Sequence, residues 1–147
     1  MSIFTKAFLS AFKPKSILTV SEWADRHRVL TTETSSVPGN WRTEFTPYLR
    51  EPMDTCGDPD YKHIVLMFGS QLGKSEALNC VTGYFIDQEP SPQMMVQPTL
   101  QTAKEYSQIR IGPMIKACPV LAEKVIDEEN AKKGSKDKPS MYFKPYP

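Results

Sequence analysis

The chain predicts an α/β fold: a parallel sheet with flanking helices, preceded by a helical and irregular N-terminal segment. Three observations carry this prediction. First, Ile64-Val65-Leu66-Met67-Phe68 is a continuous apolar run with the length and lack of alternation of a strand buried on both faces. Second, a glycine-containing loop follows it, and then Leu78, Val81 and Phe85 recur at helical spacing. Third, Met94-Met95-Val96 forms a second short apolar run ahead of another helical stretch. The order strand, loop, helix, strand, helix is the opening of a parallel sheet with right-handed crossovers.

The bulk numbers fit one domain. There are 147 residues, 39% apolar and 24% charged, which permits a buried core and argues against wholesale disorder. The formal net charge of +1 gives no bulk electrostatic case for nucleic acid or membrane binding. Cys56, Cys80 and Cys118 form no C-x-x-C pair, and His27 and His63 stand near no cysteine, so neither a zinc site nor a disulfide framework is expected. Reduced, cytosolic cysteines are the expectation. No apolar run reaches the ~18–20 residues a membrane span needs.

Residues 1–16 predict an amphipathic helix, with Phe4, Phe8 and Phe12 on one stripe and Pro14 at its end. It lacks the apolar core and cleavage site of a signal peptide and is read as packing on the domain or on a partner. Residues 17–60 open with Thr19 and Glu22 at capping-box spacing, so a helix starts there with Trp23 on one face. The stretch that follows is rich in Ser, Thr, Pro and Gly but carries Trp41, Phe45 and Tyr48. It reads as ordered but irregular, with a short helix from Pro47 to Met53, closed by the turn cluster Cys56 to Asp60. Residues 61–127 hold the sheet and its helices. The first helix runs from Lys74 to about Asp87, and Glu89-Pro90-Ser91-Pro92 breaks the chain. Thr99 caps a helix expected to reach Ile111, Gly112-Pro113 interrupts it, and Pro119 ends the piece after that. Residues 128–147 form a charged, proline-rich tail, read as frayed. There is no internal repeat.

The loop carries the chemistry. In Met67-Phe68-Gly69-Ser70-Gln71-Leu72-Gly73-Lys74-Ser75, the last three residues match the end of the phosphate-loop pattern G-x-x-x-x-G-K-S/T, but Phe68 stands where the first glycine belongs. The setting favours a phosphate site. Between a buried strand and a helix start, several N–H groups converge and the helix dipole adds partial positive charge. Gly73 lets the backbone approach closely, the Lys74 ammonium suits the β- and γ-phosphates, and the Ser75 hydroxyl suits Mg²⁺. The candidate nucleotide-binding residues are therefore Gly69, Ser70, Gln71, Leu72, Gly73, Lys74 and Ser75, with ATP and Mg²⁺ as cofactors. The alternative is an ordinary glycine-containing turn with a solvent-facing lysine.

Hydrolysis also needs an acidic pair at the end of a second strand. The one candidate is Lys124-Val125-Ile126-Asp127-Glu128-Glu129, whose run-in is too charged for a central strand. It reads as a helix end or tail, so no catalytic residue is assigned. Thr99, Thr102, Lys104, Ser107 and Arg110 form a candidate polar face, for a nucleic-acid backbone or for coupling nucleotide to motion; the plainer reading is a solvated helix surface. Trp23, Trp41, Phe45 and Tyr48 are candidates for stacking an adenine, against the plainer reading of core packing.

The segment ILTVSEWADRHRVLTTETSSVPGNWRTEFTPYLREPMD resembles the N-terminal segment of the lambda-type large terminase subunit of tailed phages. The resemblance continues through HIVLMFGSQLGKSEALNCVTGYFI and resumes at VQPTLQTAKEYSQIRIGPMI, covering about Ile17 to about Val120. It implies an incomplete P-loop NTPase fold from an ATP-driven motor that packages DNA, with a nuclease domain following. In this family the loop commonly lacks its first glycine and carries a Gln before the final x-G-K, a form that Gln71-Leu72-Gly73-Lys74-Ser75 fits. The region from Trp23 to Arg50 would lie near the adenine. The implied partners are double-stranded DNA, a small terminase subunit, the capsid portal and further copies of the full-length chain, in the cytoplasm of a bacterial host and without a membrane. Ser70 departs from the arginine that some terminases carry there. The acidic strand, coupling motif and nuclease domain are not present, so the chain is expected to be the N-terminal ATP-binding part, binding ATP without efficient hydrolysis. The alternative is a non-enzymatic prophage remnant, a nucleotide- or partner-binding module.

Overall fold

The computed structural model describes residues 18–125. The helix expected over 1–16, the tail 128–147 and the acidic cluster Asp127, Glu128 and Glu129 lie outside the described residues.

Helix α1 spans Val20–His27. Thr19 accepts from the Glu22 N–H, and the Glu22 carboxylate accepts from the Thr19 N–H, so the capping box is complete. Strand β1 (Val29–Leu30) then pairs antiparallel with β2 (Gly39–Asn40), Val29 facing Asn40 and Leu30 facing Gly39. Single 3₁₀ turns at Thr43–Phe45 and Pro47–Leu49 lead into α2 (Arg50–Cys56), so the short helix expected here begins as a tighter turn and runs three residues further. The irregular stretch is fastened to α1 by carboxylates. Asp25 Oδ1 accepts from the Thr43 N–H and hydroxyl (2.6 and 2.9 Å), and Asp54 accepts from the Ser21 N–H and hydroxyl (2.8 and 2.9 Å).

Helix α3 spans Lys74–Asp87, as the sequence predicts. Its core face is Ala77, Cys80, Gly83 and Tyr84, packed on α1; Leu78, Val81 and Phe85 are not its most buried residues. Leu78 and Val81 line an apolar groove of about 560 Å³ closed on its other sides by Met94, Met95, Val96 and Ile111. Helix α4 (Leu100–Tyr106) continues through one wide π turn, Ser107–Ile111, into α5 (Gly112–Ala117), and α6 (Pro119–Ala122) follows. Gly112-Pro113 thus widens the helix where the sequence predicts a break. The Gly112 N–H reaches back to the Ser107 carbonyl, and the wide turn makes room for a proline ring that clashes with the carbonyl four residues earlier in a regular α-helix. Pro119 begins a new turn as well as ending the old helix.

The core centres on α1. Val20, Trp23 and Ala24 are fully buried against Leu49, Met53, Met114 and Leu121, with Cys80 and Cys118 also enclosed. Burying each large apolar side chain contributes roughly 1.5–3 kcal/mol. The Cη2 and Cζ3 edge of the Trp23 indole packs against Gly83, and its Nε1–H donates to Asp87 Oδ2 at 2.9 Å. Lys124 Nζ also donates to the Asp87 carboxylate. Burial raises the Asp87 pKa, but hydrogen bonds from Lys124, Gln88 and Trp23 outweigh that and hold it below the ordinary value.

The expected parallel sheet is not found among the described residues. Among the described residues the strands are β1 and β2, antiparallel, and neither Ile64–Phe68 nor Met94–Val96 belongs to one. A strand is completed by neighbours, and no described backbone hydrogen bond reaches either run. Val65, Met67, Met94 and Val96 are accordingly exposed, at 81, 89, 88 and 77%.

Candidate nucleotide-binding site

The site begins where the apolar run ends. The Phe68 ring meets Tyr48 edge-on, 6.4 Å between centroids, which anchors the loop's first residue to the turn before α2. A bulky residue at 68 therefore has a structural use in place of the missing glycine. The loop then turns twice through left-handed backbone, at Gln71 (φ 63°) and at Gly73 (φ 78°). Gly73 suits that conformation, and a Cβ there would stand 3.1 Å from Leu49 Cδ1. Gln71 does not have that freedom, and non-glycine residues in this region store about 1–3 kcal/mol.

Lys74 is the first residue of α3 and its side chain folds back into the loop. Its Nζ donates to the Phe68 carbonyl at 3.2 Å and to the Gly69 carbonyl. Gly73 offers no side-chain cap, and the first described backbone bond of the helix is Ala77 N–H to Gly73 carbonyl. Gly69, Ser70, Gln71, Leu72 and Ser75 are exposed, whereas Gly73 and Lys74 are half-buried. All seven residues named from the sequence thus share one exposed loop at one helix start. That start concentrates partial positive charge, and the loop holds an ammonium within its curve.

A polar network missed by sequence reasoning lies directly behind the loop. Glu76, the third residue of α3, turns its carboxylate inward. Oε2 accepts from Arg28 Nη2 at 2.8 Å, and Oε1 faces Arg110 Nη1 at 3.4 Å and Asn79 Nδ2 at 3.3 Å. Arg28 is 1% exposed; its Nη1 also donates to the Val29 carbonyl at 2.6 Å, while Nε has no hydrogen-bond partner. Tyr106 donates to Asn79 Oδ1 at 2.8 Å and stands 3.5 Å from the Ser75 carbonyl. Burial, with the Glu76 charge second, pushes the Tyr106 pKa up. Burial likewise pushes the Cys80 thiol up to about 12, against the lowering charge of Arg28. The one legible signal was Glu76 in the first turn after Gly73-Lys74-Ser75; its partners lie 48 and 34 residues away.

The other candidates separate. Trp23 and Trp41 are buried at 0 and 7% exposure and belong to the core, whereas Phe45 and Tyr48 are exposed at 69 and 49%. Along the second helical stretch, the Thr99 hydroxyl caps α4 by accepting from the Thr102 N–H. Arg110 turns toward α3 and donates to the Thr34 carbonyl at 2.8 Å, so the five polar residues do not form one free face. Among the described residues no helix is long and apolar enough to cross a membrane.

Residues 35–146 match the family model of the phage terminase large subunit gpA, ATPase domain. The chain is similar to the large terminase subunit of Enterobacteria phage P21, 28% identical over 106 residues, covering 72% of this chain and 16% of that protein. It is also similar to the large terminase subunit of Escherichia phage lambda, 29% identical over 119 residues, covering 80% of this chain and 18% of that protein. The chain therefore spans less than a fifth of the length of these relatives. No solved structure matches it. With the family match running over the loop and the helix it opens, and over three quarters of the chain, the chain belongs to the ATPase-domain family of the gpA-type phage terminase large subunit.

Proposed function

We propose that this chain is the N-terminal ATP-binding part of a phage DNA-packaging motor. The observation that carries the reading is Lys74: its ammonium lies inside an exposed loop at the uncapped start of a 14-residue helix. Helix N–H groups without side-chain caps, a left-handed glycine and a lysine within the loop's curve fit a triphosphate by charge and donor set. Lys74 would exchange its Phe68 and Gly69 carbonyls for phosphate oxygens. The exposed Ser75 hydroxyl is positioned in sequence to hold Mg²⁺, and Gly69 to Gly73 would wrap the phosphates with backbone N–H groups. A bound Mg²⁺ would supply charge neutralisation at the phosphates. On the adenine side, Tyr48 is the exposed aromatic that touches the loop through Phe68, with Phe45 one turn before it.

Binding without efficient hydrolysis is part of the proposal. Glu76, the acid next to Lys74-Ser75, is held by Arg28 and Arg110 and so is not free to orient a water. In the whole motor, ATP use would drive double-stranded DNA into a capsid, with a small terminase subunit, the capsid portal and further copies of the full-length chain as partners. The test is calorimetric titration of the chain with Mg-ATP. Wild type is expected to bind weakly, and Lys74→Ala to show no binding. Equal binding by both proteins would remove the phosphate-loop reading.

A further inference from the structure

We propose that Arg110 is a positioning residue that ties the helical stretch 100–117 to the phosphate-loop helix, so that an anion held at the loop orders that stretch. The inference rests on the phosphate-loop reading above and concerns what lies behind the loop. Tyr106 and Arg110 are four residues apart and share a helix face. They meet two residues three apart on α3: Tyr106 reaches Asn79, and Arg110 reaches Glu76. Both partners lie in the first two turns after Lys74 and Ser75. The link is anchored on its far side, because Glu76 gives its other oxygen to the buried Arg28. Glu76 thus stands between a fixed guanidinium and a half-exposed one, at 1 and 39% side-chain exposure.

Two features make Arg110 responsive. It sits on the π turn Ser107–Ile111, a wide turn of a kind found often at functional sites and able to reset helix register. The charges around the helix start are also unbalanced. Lys74, Arg28 and Arg110 carry three positive charges against the single carboxylate of Glu76, which leaves two uncompensated. Repulsion among these cations loosens Arg110, the more exposed of the two guanidiniums on Glu76. An anion at the loop offsets that excess and tightens the Arg110–Glu76 contact. The coupling is reciprocal: a partner that holds Arg110 against Glu76 strengthens anion binding.

Amide hydrogen exchange on the whole chain, with and without Mg-ATP, tests this. In wild type, Mg-ATP is expected to slow exchange over residues 75–80 and, by about fivefold or more, over residues 100–117, the lower end of ordinary coupling between sites. In Arg110→Gln the slowing over 75–80 is expected to persist while that over 100–117 falls below about twofold. Arg110→Lys, which keeps the charge, is expected to retain more slowing than Arg110→Gln. A merely structural role would raise exchange over 100–117 without nucleotide and leave the nucleotide-induced ratio unchanged. The proposal is overturned if that ratio is the same in Arg110→Gln and wild type, or if wild type shows protection at 75–80 and none at 100–117. It is also overturned if Lys and Gln at this position behave alike. Absence of protection at 75–80 in wild type would instead remove the phosphate-loop reading, and this inference with it.

Discussion

Replacing Gly83 by alanine tests the packing that holds the phosphate-loop helix on the rest of the molecule. The added Cβ would stand 2.4 Å from Trp23 Cη2 and 2.9 Å from Cζ3, about an ångström inside ordinary carbon contact. Overpacking of this kind costs about 1–3 kcal/mol. The indole has little room to yield, because it is fully buried and its Nε1–H is held by Asp87 at 2.9 Å. Tilting the ring to relieve the clash would weaken that bond, at about 1 kcal/mol more. Against this, alanine is favoured over glycine in a helix interior by about 1 kcal/mol. The expected net effect is a loss of about 1–3 kcal/mol, read from urea unfolding at unchanged m-value. Combining the substitution with Trp23→Phe should cost less than the sum of the two singles, since the smaller ring vacates the contested space. A gain near 1 kcal/mol for Gly83→Ala alone, the behaviour of an exposed helical glycine, would refute the reasoning.

Other expectations follow from the polar groups and the loop. Glu76→Gln leaves the Arg28 guanidinium buried without a counter-charge and should lower stability by about 3–5 kcal/mol in urea unfolding, whereas Arg110→Gln, at a half-exposed pair, should lower it by less than about 1 kcal/mol. Gln71→Gly relieves left-handed strain but adds freedom to the unfolded chain; thermal unfolding should show a change within about 1 kcal/mol of zero, where Gly73→Ala should lose clearly more. Asp87 has a folded pKa below its ordinary 3.8, so its contribution is present above that value and is lost as pH falls through the folded one. Stability measured from pH 5 downward should therefore fall less steeply in Asp87→Asn than in wild type.

What could be read from the residues was what local chemistry decides. The Thr19–Glu22 capping box and the Thr99 cap are set by side chains within a turn of the backbone they satisfy, and the bounds of α3 by the left-handed Gly73 before it and the proline-containing break after it; all three were legible. That the seven loop residues stand together at one helix start was legible too, because a loop and the helix it opens are continuous in sequence; their hold on a nucleotide is the proposal that the Mg-ATP titration tests. The apolar runs at 64–68 and 94–96 were not, since an apolar run records an appetite for burial and not the neighbours that satisfy it. Gly112-Pro113 shows a smaller version of this: proline forbids the regular helix, but tertiary packing of Met114 and Ile115 carries the chain on through a wide turn. The Arg28–Glu76–Arg110 network was illegible because each guanidinium reaches across dozens of residues to one carboxylate.

The sulfur atoms enclosed around α1 give the molecule a built-in chemical clock. Cys80 and Cys118 are wholly covered and Cys56 is half-buried, and the Cys80 thiol, pushed up to about 12, stays protonated and inert while its surroundings are closed. A thiol reagent consumes Cys56 first. Its slower reaction with Cys80 and Cys118 is then expected to count the occasions on which the core around them opens. Any ligand that clamps the helix start slows that count, so one unmodified chain can report from its interior what happens at its exposed loop.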